Sequence, residues 1–302
     1  MHNVMLIVNA YAGTVSGRTR EVIAKALAAD FKLEMAVTEA RRHASELAFD
    51  AVDRDFDAVI VFGGDGTINE AAQGLVGTDL ALGILPGGST NVMARSLGLP
   101  LDPVEATALV SARLRSATRR RISVGQIDGR YYLFSAGMGL DAEVVRRIEA
   151  HPESKRKWAH WAFVSHALRV ASTGYRGADP SITVSAEGHE PARVLLAVCC
   201  NARPFTYFKD LPVDVCPLAA LDGGLDLFGL ERLHLTTMPR IAWSVFVGRT
   251  HPGWSRTRYY HDFTRARLEA DHPLPVQVDG DHLGEWAGCD LRLLPQALDL
   301  LV

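Results

Sequence analysis

Three aspartates stand beside glycines in segments whose composition suits phosphate and metal chemistry. They are Asp65 in GGDG, Asp222 in DGG and Asp279 in DGD. A carboxylate can bind Mg²⁺ or accept a proton, and glycine-rich loops can present backbone N–H groups to phosphate oxygens. Each aspartate alone also fits an ordinary turn, because Asp and Gly are common turn residues. Their role therefore depends on the elements that surround them.

The first glycine-rich segment follows an apolar run and precedes a predicted helix. In AVIVFGGDGTINEAAQGL, residues 58–75, a β-branched strand leads into GGDG at 63–66. We expect these glycines to turn through positive φ and to expose consecutive N–H groups at a helix N-terminus, where anions bind. The next four residues, TINE, predict a capping box in which Thr67 binds an exposed amide and Glu70 reaches back.

A second segment has a similar composition. In LALGILPGGSTNVMARSLGLP, an apolar run enters PGG at 86–88, and Ser89, Thr90 and Asn91 then supply hydroxyl and amide groups. Asn9, after the first apolar run, fits the same edge of a parallel sheet. Two such loops at one edge predict a nucleotide phosphate site. Neither GxxxxGK[ST] nor GxGxxG is present there, so it is not a P-loop or an ordinary dinucleotide site.

The pattern of apolar and polar residues, which predicts the elements that position these loops, changes along the chain. Up to about Arg119, apolar runs alternate with amphipathic stretches, which predicts a parallel sheet with helices on both faces. The predicted strands are 4–8, 33–37, 58–62 and 80–85, and the predicted helices are 20–29, 44–52, 67–75 and 91–97. Asp102 is the expected N-cap of a further helix. The second half is predicted to be mainly β, with a turn at Asp128-Gly129.

Shorter helices and strands are predicted in the second half. The predicted helices are 141–148, with Asp141 as N-cap, 154–171 and 236–247. The predicted strands are 181–186, 192–200, 225–230, 257–261, 265–270 and 275–279.

Composition limits the class of protein. The chain has 302 residues, enough for one large or two medium domains. Its 32 Lys and Arg nearly balance its 35 Asp and Glu, which gives no sign of a nucleic-acid partner. The four cysteines form no CxxC pattern and are expected to be reduced thiols. No apolar run approaches the ~20 residues that span a bilayer. We expect a cytoplasmic protein.

Together these segments resemble the diacylglycerol kinase catalytic family, which includes bacterial soluble lipid kinases and sphingosine and ceramide kinases. GGDGTINEAAQGL is similar to the family's GGDGT-x-NE loop, PGGSTNVMAR to its P-x-GT-x-ND-x-AR loop, and FSAGMGLDAEVV to the opening of its second domain. The resemblance covers almost the whole chain. It implies ATP- and Mg²⁺-dependent phosphorylation of a lipid hydroxyl, diacylglycerol by default, at the inner face of the membrane.

The resemblance also implies a fold. The N-terminal domain would be α/β with a parallel sheet, like NAD kinases and phosphofructokinases, and would comprise residues 1–120 together with a returning last strand at 290–302. The C-terminal domain, 121–289, would be mainly β and sandwich-like, and would carry the lipid-substrate and metal sites.

Functional residues follow from the same resemblance. PLAALDGGLDL is similar to a DG-x-LD element whose first aspartate, Asp222, is implied to hold Mg²⁺. PVQVDGDHLGE is similar to a DGE element, so Asp279 is the implied general base and Asp281 takes the place of the glutamate; Asp65 joins these two as catalytic. The residues implied to bind ATP are Asn9, Gly63, Gly64, Asp65, Gly66, Thr67, Glu70, Gly88, Ser89 and Asn91. Ala10 and Val92 depart from the family pattern.

Several alternatives stay open at this stage. The acceptor could be a sphingoid base, another lipid alcohol or NAD, and a regulator that binds lipid or nucleotide without catalysis is a further alternative. The basic and aromatic segment 154–172 suits a membrane interface, and equally an ordinary core-facing helix. A homodimer is also open.

Overall fold

The computed structural model describes residues 2–13, 15–149, 179–233 and 238–302. The chain divides into two compact units. The first unit comprises Met1–Val124 and Leu294–Val302, and the second comprises Gly125–Leu293. The predicted helix at 154–171 lies outside the described residues. Within the described parts of the chain, no helix combines the length and the apolar character that crossing a membrane requires.

The first unit contains a parallel sheet flanked by helices. Its strands are β1 (Asn3–Val8), β2 (Lys32–Val37), β3 (Ala58–Gly63) and β4 (Ala81–Pro86). Its helices are α1 (Gly17–Asp30), α2 (His43–Asp53), α3 (Asp65–Leu75), α4 (Val92–Ser96) and α5 (Pro103–Arg115). The strand order is β2-β1-β3-β4, and all three pairings are parallel. Both β3 and β4 are buried along their whole length, as expected for parallel strands covered on two faces.

The end of the chain returns to this sheet. Strand β16 (Asp281–Leu300) starts in the second unit, and its Asp299 and Leu300 pair in parallel with Ala81 and Leu82 of β4. Asp102 caps α5 as predicted, because its carboxylate accepts hydrogen bonds from the N–H groups of Val104 and Glu105. The α/β class predicted for this part of the chain is confirmed.

The second unit is mostly antiparallel β. Its remaining strands are β5 (Arg120–Ile127, which begins in the first unit), β6 (Arg130–Tyr132), β7 (Ser135–Gly139), β8 (Ile182–Ala186), β9 (Ala192–Val194), β10 (Leu196–Cys200), β11 (Thr206–Phe208), β12 (Leu211–Val213), β13 (Leu225–Leu230), β14 (Thr257–Phe263) and β15 (Arg265–Val278). The described α-helices are α6 (Leu140–Glu149) and α7 (Met238–Trp243). The main order is β14-β13-β10-β7-β15-β16, which confirms the mainly β character predicted here.

Two Asp-Gly pairs form the turns of β-hairpins in this unit. Asp128 and Gly129 join β5 to β6 with φ of 41° and 87°, and Asp279 and Gly280 join β15 to β16 with φ of 48° and 86°. Positive φ at both turn residues is the geometry that Asp-Gly pairs adopt in two-residue hairpin loops. The turn predicted at Asp128-Gly129 is therefore confirmed.

Some predicted element bounds are wrong. The segments 265–270 and 275–279 belong to one strand, β15, whose register with β16 shifts between Glu269 and Leu274. Strand β16 starts at Asp281, well before the predicted position near 290. The helix predicted at 236–247 is α-helical, as α7, only up to Trp243. The next residues, Ser244–Gly248, form a π-helical turn. A register shift and a π turn leave no mark on hydrophobic periodicity, which is why the pattern missed them.

Candidate active site

The two glycine-rich loops of the first unit pack backbone against backbone. The N–H of Gly87 donates to the carbonyl of Gly63 at 2.8 Å. A Cβ atom on Gly87 would lie 3.1 Å from the Gly63 Cα, and one on Gly88 would lie 2.8 Å from the Gly64 Cα. Approaches below about 3 Å do not occur between a real Cβ and a neighbouring backbone atom. Gly88 can therefore carry no side chain while the loops touch, and a Cβ on Gly87 would require the neighbouring backbone to shift.

The expectation of positive φ in these loops was wrong. None of the glycines in the GGDG and PGG segments has a left-handed φ, and Gly64 is extended with φ of −88° and ψ of 179°. At Gly87 and Gly88, the close approach of the partner loop, and not an unusual backbone conformation, explains the glycine.

Asp65 connects the first loop to the helix that follows the second. It is the first residue of α3, and its two carboxylate oxygens accept hydrogen bonds from the N–H groups of Val92 and Met93, at 2.9 and 3.0 Å. Those N–H groups open α4. Burial raises the pKa of the Asp65 carboxyl, and the two N–H donors oppose that shift. Asp65 therefore acts as a brace between the loops.

Asn91 stabilises the second loop from within. Its side-chain oxygen accepts from the N–H of Gly88 at 2.8 Å, and its side-chain nitrogen donates to the Gly88 carbonyl at 2.9 Å. Asn91 itself has φ of 50°, a conformation that Asn tolerates better than most residues. Ser89, at the tip of this loop, is exposed. Ser89 is thus a polar side chain of the loop that a ligand can reach.

The predicted capping box is wrong. Helix α3 begins at Asp65 with Gly64 as its N-cap, and a glycine has no side chain to cap with. Thr67 therefore lies inside the first turn, and its hydroxyl accepts a hydrogen bond from the Asn9 side chain at 2.9 Å. This bond ties the end of β1 to α3. Glu70 lies further along α3 and is half-buried.

Gly66 differs from the other glycines of its loop. A Cβ atom added there would meet no atom within 4 Å, and the residue is exposed in the first turn of α3. Packing within the protein thus does not explain why position 66 lacks a side chain. A ligand that approaches the N-terminus of α3 would explain it.

In the second unit, Asp279 is held by a facing backbone segment. One carboxylate oxygen accepts from the N–H of Leu133 at 2.7 Å, and the other accepts from the N–H groups of Phe134 and Ser135, both at 2.9 Å. The N–H of Asp279 donates to the Ser135 carbonyl at 2.9 Å. The carboxylate is half-buried and has a fixed orientation.

Asp281 and Asp222 lie in different surroundings. Asp281 is the first residue of β16, pairs with Val278 across the hairpin turn, and is half-buried. Asp222 is exposed in the turn that precedes β13. Within the stretches that the structure describes, no group of three or more His, Cys, Asp or Glu side chains could hold a metal ion.

Asp226, in the same DG-x-LD segment as Asp222, was not singled out from the sequence. Its buried carboxylate accepts hydrogen bonds from the Tyr259 hydroxyl at 2.5 Å, from His261 Nδ1 at 2.8 Å and from the N–H of Asp262 at 3.0 Å. These bonds tie β13 to β14. The signal available in the sequence was one aspartate inside an otherwise apolar strand, LDLFGL, which implies a buried and satisfied carboxylate.

The N-cap role predicted for Asp141 is wrong, because α6 begins at Leu140 and Asp141 lies inside the helix. Its carboxylate accepts from the side-chain nitrogen of Gln277 at 3.1 Å, and its second oxygen is buried without a partner among the described residues. Burial raises the pKa of this carboxyl to about 6, and the Gln277 hydrogen bond opposes the shift. Gly137 provides the space, since a Cβ there would lie 1.9 Å from the Asp141 carboxylate.

The structure thus brings the predicted residues together in separate groups. The first unit collects the loop residues, namely Asn9, Gly63, Gly64, Asp65, Gly66, Thr67, Gly88, Ser89 and Asn91. In the second unit, Asp279 lies in one hairpin turn, Asp281 follows that turn, and Asp222 lies in another loop. This arrangement supplies N–H and hydroxyl groups in the first unit and carboxylates in the second.

Comparisons with known proteins show which family the chain resembles. Residues 3–127 match the model of the diacylglycerol kinase catalytic domain. The diacylglycerol kinase of Bacillus subtilis is 36% identical over 279 residues, which cover 89% of this chain and 88% of that protein. A protein of Chromohalobacter salexigens named "Probable lipid kinase YegS-like" is 34% identical over 87% of this chain and 81% of its own length.

Solved structures support the fold. The structure of a diacylglycerol kinase from Bacillus anthracis str. Sterne matches with a TM-score of 0.72 at 22% identity, over 99% of this chain and 96% of that chain. A second solved chain from the same organism has a TM-score of 0.78 at 24% identity, over 99% and 95% of the two chains.

The contact between the loops leads to a prediction about stability. Gly88→Ala should lower the free energy of unfolding by about 1–3 kcal/mol, the usual cost of forcing a methyl group into a packed site. Gly66→Ala should leave it unchanged or raise it by about 0.5–1 kcal/mol, since alanine is the better residue in a helix. Urea unfolding followed by circular dichroism would measure both. Equal losses for the two variants would contradict the packing argument.

The buried Asp141 carboxyl predicts a dependence of stability on pH. Its pKa of about 6 in the folded chain exceeds the ~3.9 of an unfolded aspartate. The folded chain therefore binds the extra proton between pH 4 and 6, and the stability contribution of Asp141 falls as pH rises through that range. Relative to wild type, Asp141→Asn should gain up to about 3 kcal/mol between pH 4 and 7.

Urea unfolding at a series of pH values would measure this difference. Asp53→Asn, which changes an exposed aspartate at the end of α2, serves as the control and should show no such trend. A difference between wild type and Asp141→Asn that stays constant from pH 4 to 7 would disprove the burial of this carboxyl.

Proposed function

The chain belongs to the diacylglycerol kinase catalytic family and is a lipid kinase, and we propose that it transfers the γ-phosphoryl group of ATP to the free hydroxyl of diacylglycerol. The observation that carries the nucleotide part is the joined pair of glycine loops, which leaves Gly66 and Ser89 open to a ligand. Diacylglycerol is the acceptor named for the relative from Bacillus subtilis. Because its acyl chains are apolar, the enzyme would meet it at a membrane surface, which makes a peripheral location on the inner face part of the proposal.

The ATP phosphates would bind at the first turn of α3. The first N–H groups of a helix have no partner within the helix and attract anions. The open space at Gly66 lets a phosphate oxygen approach the backbone there, and the exposed Ser89 hydroxyl offers a further donor. Asp65, with both oxygens bound to α4, would keep the two loops in register and not contact the reacting atoms.

Asp279 would act as general base. As the hydroxyl oxygen of the lipid forms its bond to the γ-phosphorus, the hydroxyl proton passes to the Asp279 carboxylate, and the bond from the γ-phosphorus to the β–γ bridging oxygen breaks, which releases ADP. The three N–H bonds fix the direction of the carboxylate, so the proton would always be accepted in the same orientation. Asp281, on the other side of the turn, would add negative charge beside the acceptor hydroxyl.

Asp222 would be one ligand of a magnesium ion. Kinases commonly bind Mg²⁺ through one or two carboxylates, with water and substrate phosphates completing the shell, so a three-residue protein cluster is not required. The exposed carboxylate of Asp222 suits that chemistry. When bound, Mg²⁺ neutralises charge on the phosphates.

The central experiment is transfer of labelled γ-phosphate from ATP to lipid in mixed micelles. Diacylglycerol, sphingosine, a total lipid extract and NAD would be offered in parallel, with and without Mg²⁺. We expect a labelled product from diacylglycerol, only with Mg²⁺, and a rate about 10²–10⁴ lower for Asp279→Asn, as for loss of a general base.

Asp128→Asn is a matched control for that substitution. Asp128 starts the other Asp-Gly hairpin turn with nearly the same φ, and asparagine suits both turns. Its rate should equal that of wild type. Transfer to sphingosine or NAD in place of diacylglycerol would show that the enzyme uses a different acceptor. ATP binding without transfer to any acceptor would indicate a regulator without catalysis. An unchanged rate in Asp279→Asn would remove Asp279 from the mechanism.

A second experiment addresses the nucleotide loop. Gly66→Ala should weaken ATP binding by about tenfold or more, equivalent to about 1.4 kcal/mol, because the methyl group would occupy the space that a phosphate oxygen needs. Isothermal titration with ATP and Mg²⁺ measures the Kd. Gly253→Ala, at an equally open position of the second unit, is the control. An unaltered Kd in Gly66→Ala would place the phosphates elsewhere.

A further inference from the structure

Asp141 and Gln277 form a chain of hydrogen bonds that ends at the turn carrying Asp279. The Gln277 side-chain nitrogen donates to Asp141 at 3.1 Å, and the Gln277 side-chain oxygen accepts from the N–H of Gly280 at 2.9 Å. Gly280 is the residue after Asp279. We propose that Asp141 is a positioning residue for Asp279 and acts on it through Gln277; this inference rests on the proposed function.

The chemistry of the chain admits one orientation of the glutamine amide. The Gly280 N–H can only donate, so the oxygen of the Gln277 amide must face it. The amide nitrogen then faces Asp141, whose carboxylate oxygen accepts its hydrogen bond. Gln277 is buried at 1% exposure, so water cannot replace either partner. Removing either end of the chain would leave a buried polar group unpaired, which is costly.

The surroundings of Asp141 are shaped around this contact. Gly137 of β7 pairs with Gln277 of β15, and only a glycine at 137 leaves room for the Asp141 carboxylate. Helix α6 begins immediately after β7, which delivers Asp141 to that space. One strand pair and one helix start thus hold the glutamine in place.

The turn that carries Asp279 is consequently anchored on two sides. The N–H groups of Leu133, Phe134 and Ser135 hold its carboxylate, and Gln277 holds the peptide of Gly280. Both turn residues have left-handed φ. Loss of the second anchor would let the turn rotate about the first, and a displacement of about 1 Å in a reacting group can lower a rate by ~10²-fold.

Exchanging the amide and the carboxylate between positions 277 and 141 tests this arrangement. Gln277→Glu removes the amide donor and places two carboxyl groups against each other, and we expect kcat to fall about 10- to 100-fold with KM for ATP nearly unchanged. Adding Asp141→Asn restores a donor opposite the carboxylate introduced at position 277, with the same net charge and the same number of hydrogen bonds as in wild type. The double variant should regain kcat to within about threefold of wild type, a coupling that independent sites do not show.

The controls separate positioning from a general loss of structure. Gln296→Glu makes the same substitution at an exposed position of the first unit and should have wild-type kcat. Asp141→Ala, which removes the hydrogen-bond partner of the Gln277 amide nitrogen without adding charge, should lower kcat as Gln277→Glu does. Rates are referred to the folded fraction measured by circular dichroism. If Gln277→Glu does not fold, the kcat of Asp141→Ala and of the double variant decides.

The outcomes are distinguishable. Wild-type kcat in Gln277→Glu or Asp141→Ala, or a double variant as impaired as Gln277→Glu, would overturn the positioning role, provided that Asp279→Asn still lowers the rate about 10²–10⁴-fold. Absence of lipid phosphorylation by the wild-type chain, or an unchanged rate in Asp279→Asn, would overturn the proposed function and the inference with it.

Discussion

The backbone contact between the two glycine loops is the constraint on which the first unit's candidate site depends. Strands β3 and β4 end side by side with Gly63 opposite Pro86, and the chain beyond each strand must pass the other at van der Waals distance. Only residues without a Cβ can do so. The contact brings the start of α3 close enough for the Asp65 carboxylate to reach the first N–H groups of α4. A wider separation would leave that carboxylate without its donors and would move two helix N-termini apart.

In the second unit, the same local sequence serves two purposes. Asp128-Gly129 and Asp279-Gly280 form the same type of hairpin turn, so Asp-Gly specifies the turn in both places. Their carboxylates differ in what they meet. Asp128 accepts one hydrogen bond from the N–H of Asp290, whereas Asp279 accepts three from the segment that leads into β7. The difference between the two carboxylates therefore comes from partners more than a hundred positions away in sequence.

This distinction explains what could be predicted from the sequence. Strand and helix order, the cap at Asp102 and the turn at Asp128 depend on neighbours within a few residues, and periodicity and turn composition identified them. The glycine loops were recognised as a pair, but their geometry was wrong because the reason for glycine lies in the partner loop. The capping box failed because α3 begins at Asp65, before Thr67, and the Thr67 hydroxyl instead meets Asn9, which is distant in sequence. Asp141 and Gln277, from separate elements, form no motif at all.

The aspartates of this chain show that the presence of an aspartate in a sequence motif does not by itself determine the role of that residue. Asp226 is buried with three donors around it, which makes it structural. Asp65 has both oxygens occupied by one helix start, which suits a brace. Asp279 also accepts three donors, yet it is half-buried on a turn. What separates it from Asp226 is exposure combined with a fixed direction, and a general base needs both: an acceptor position that the substrate can reach, and an orientation that does not have to be found anew in each catalytic cycle.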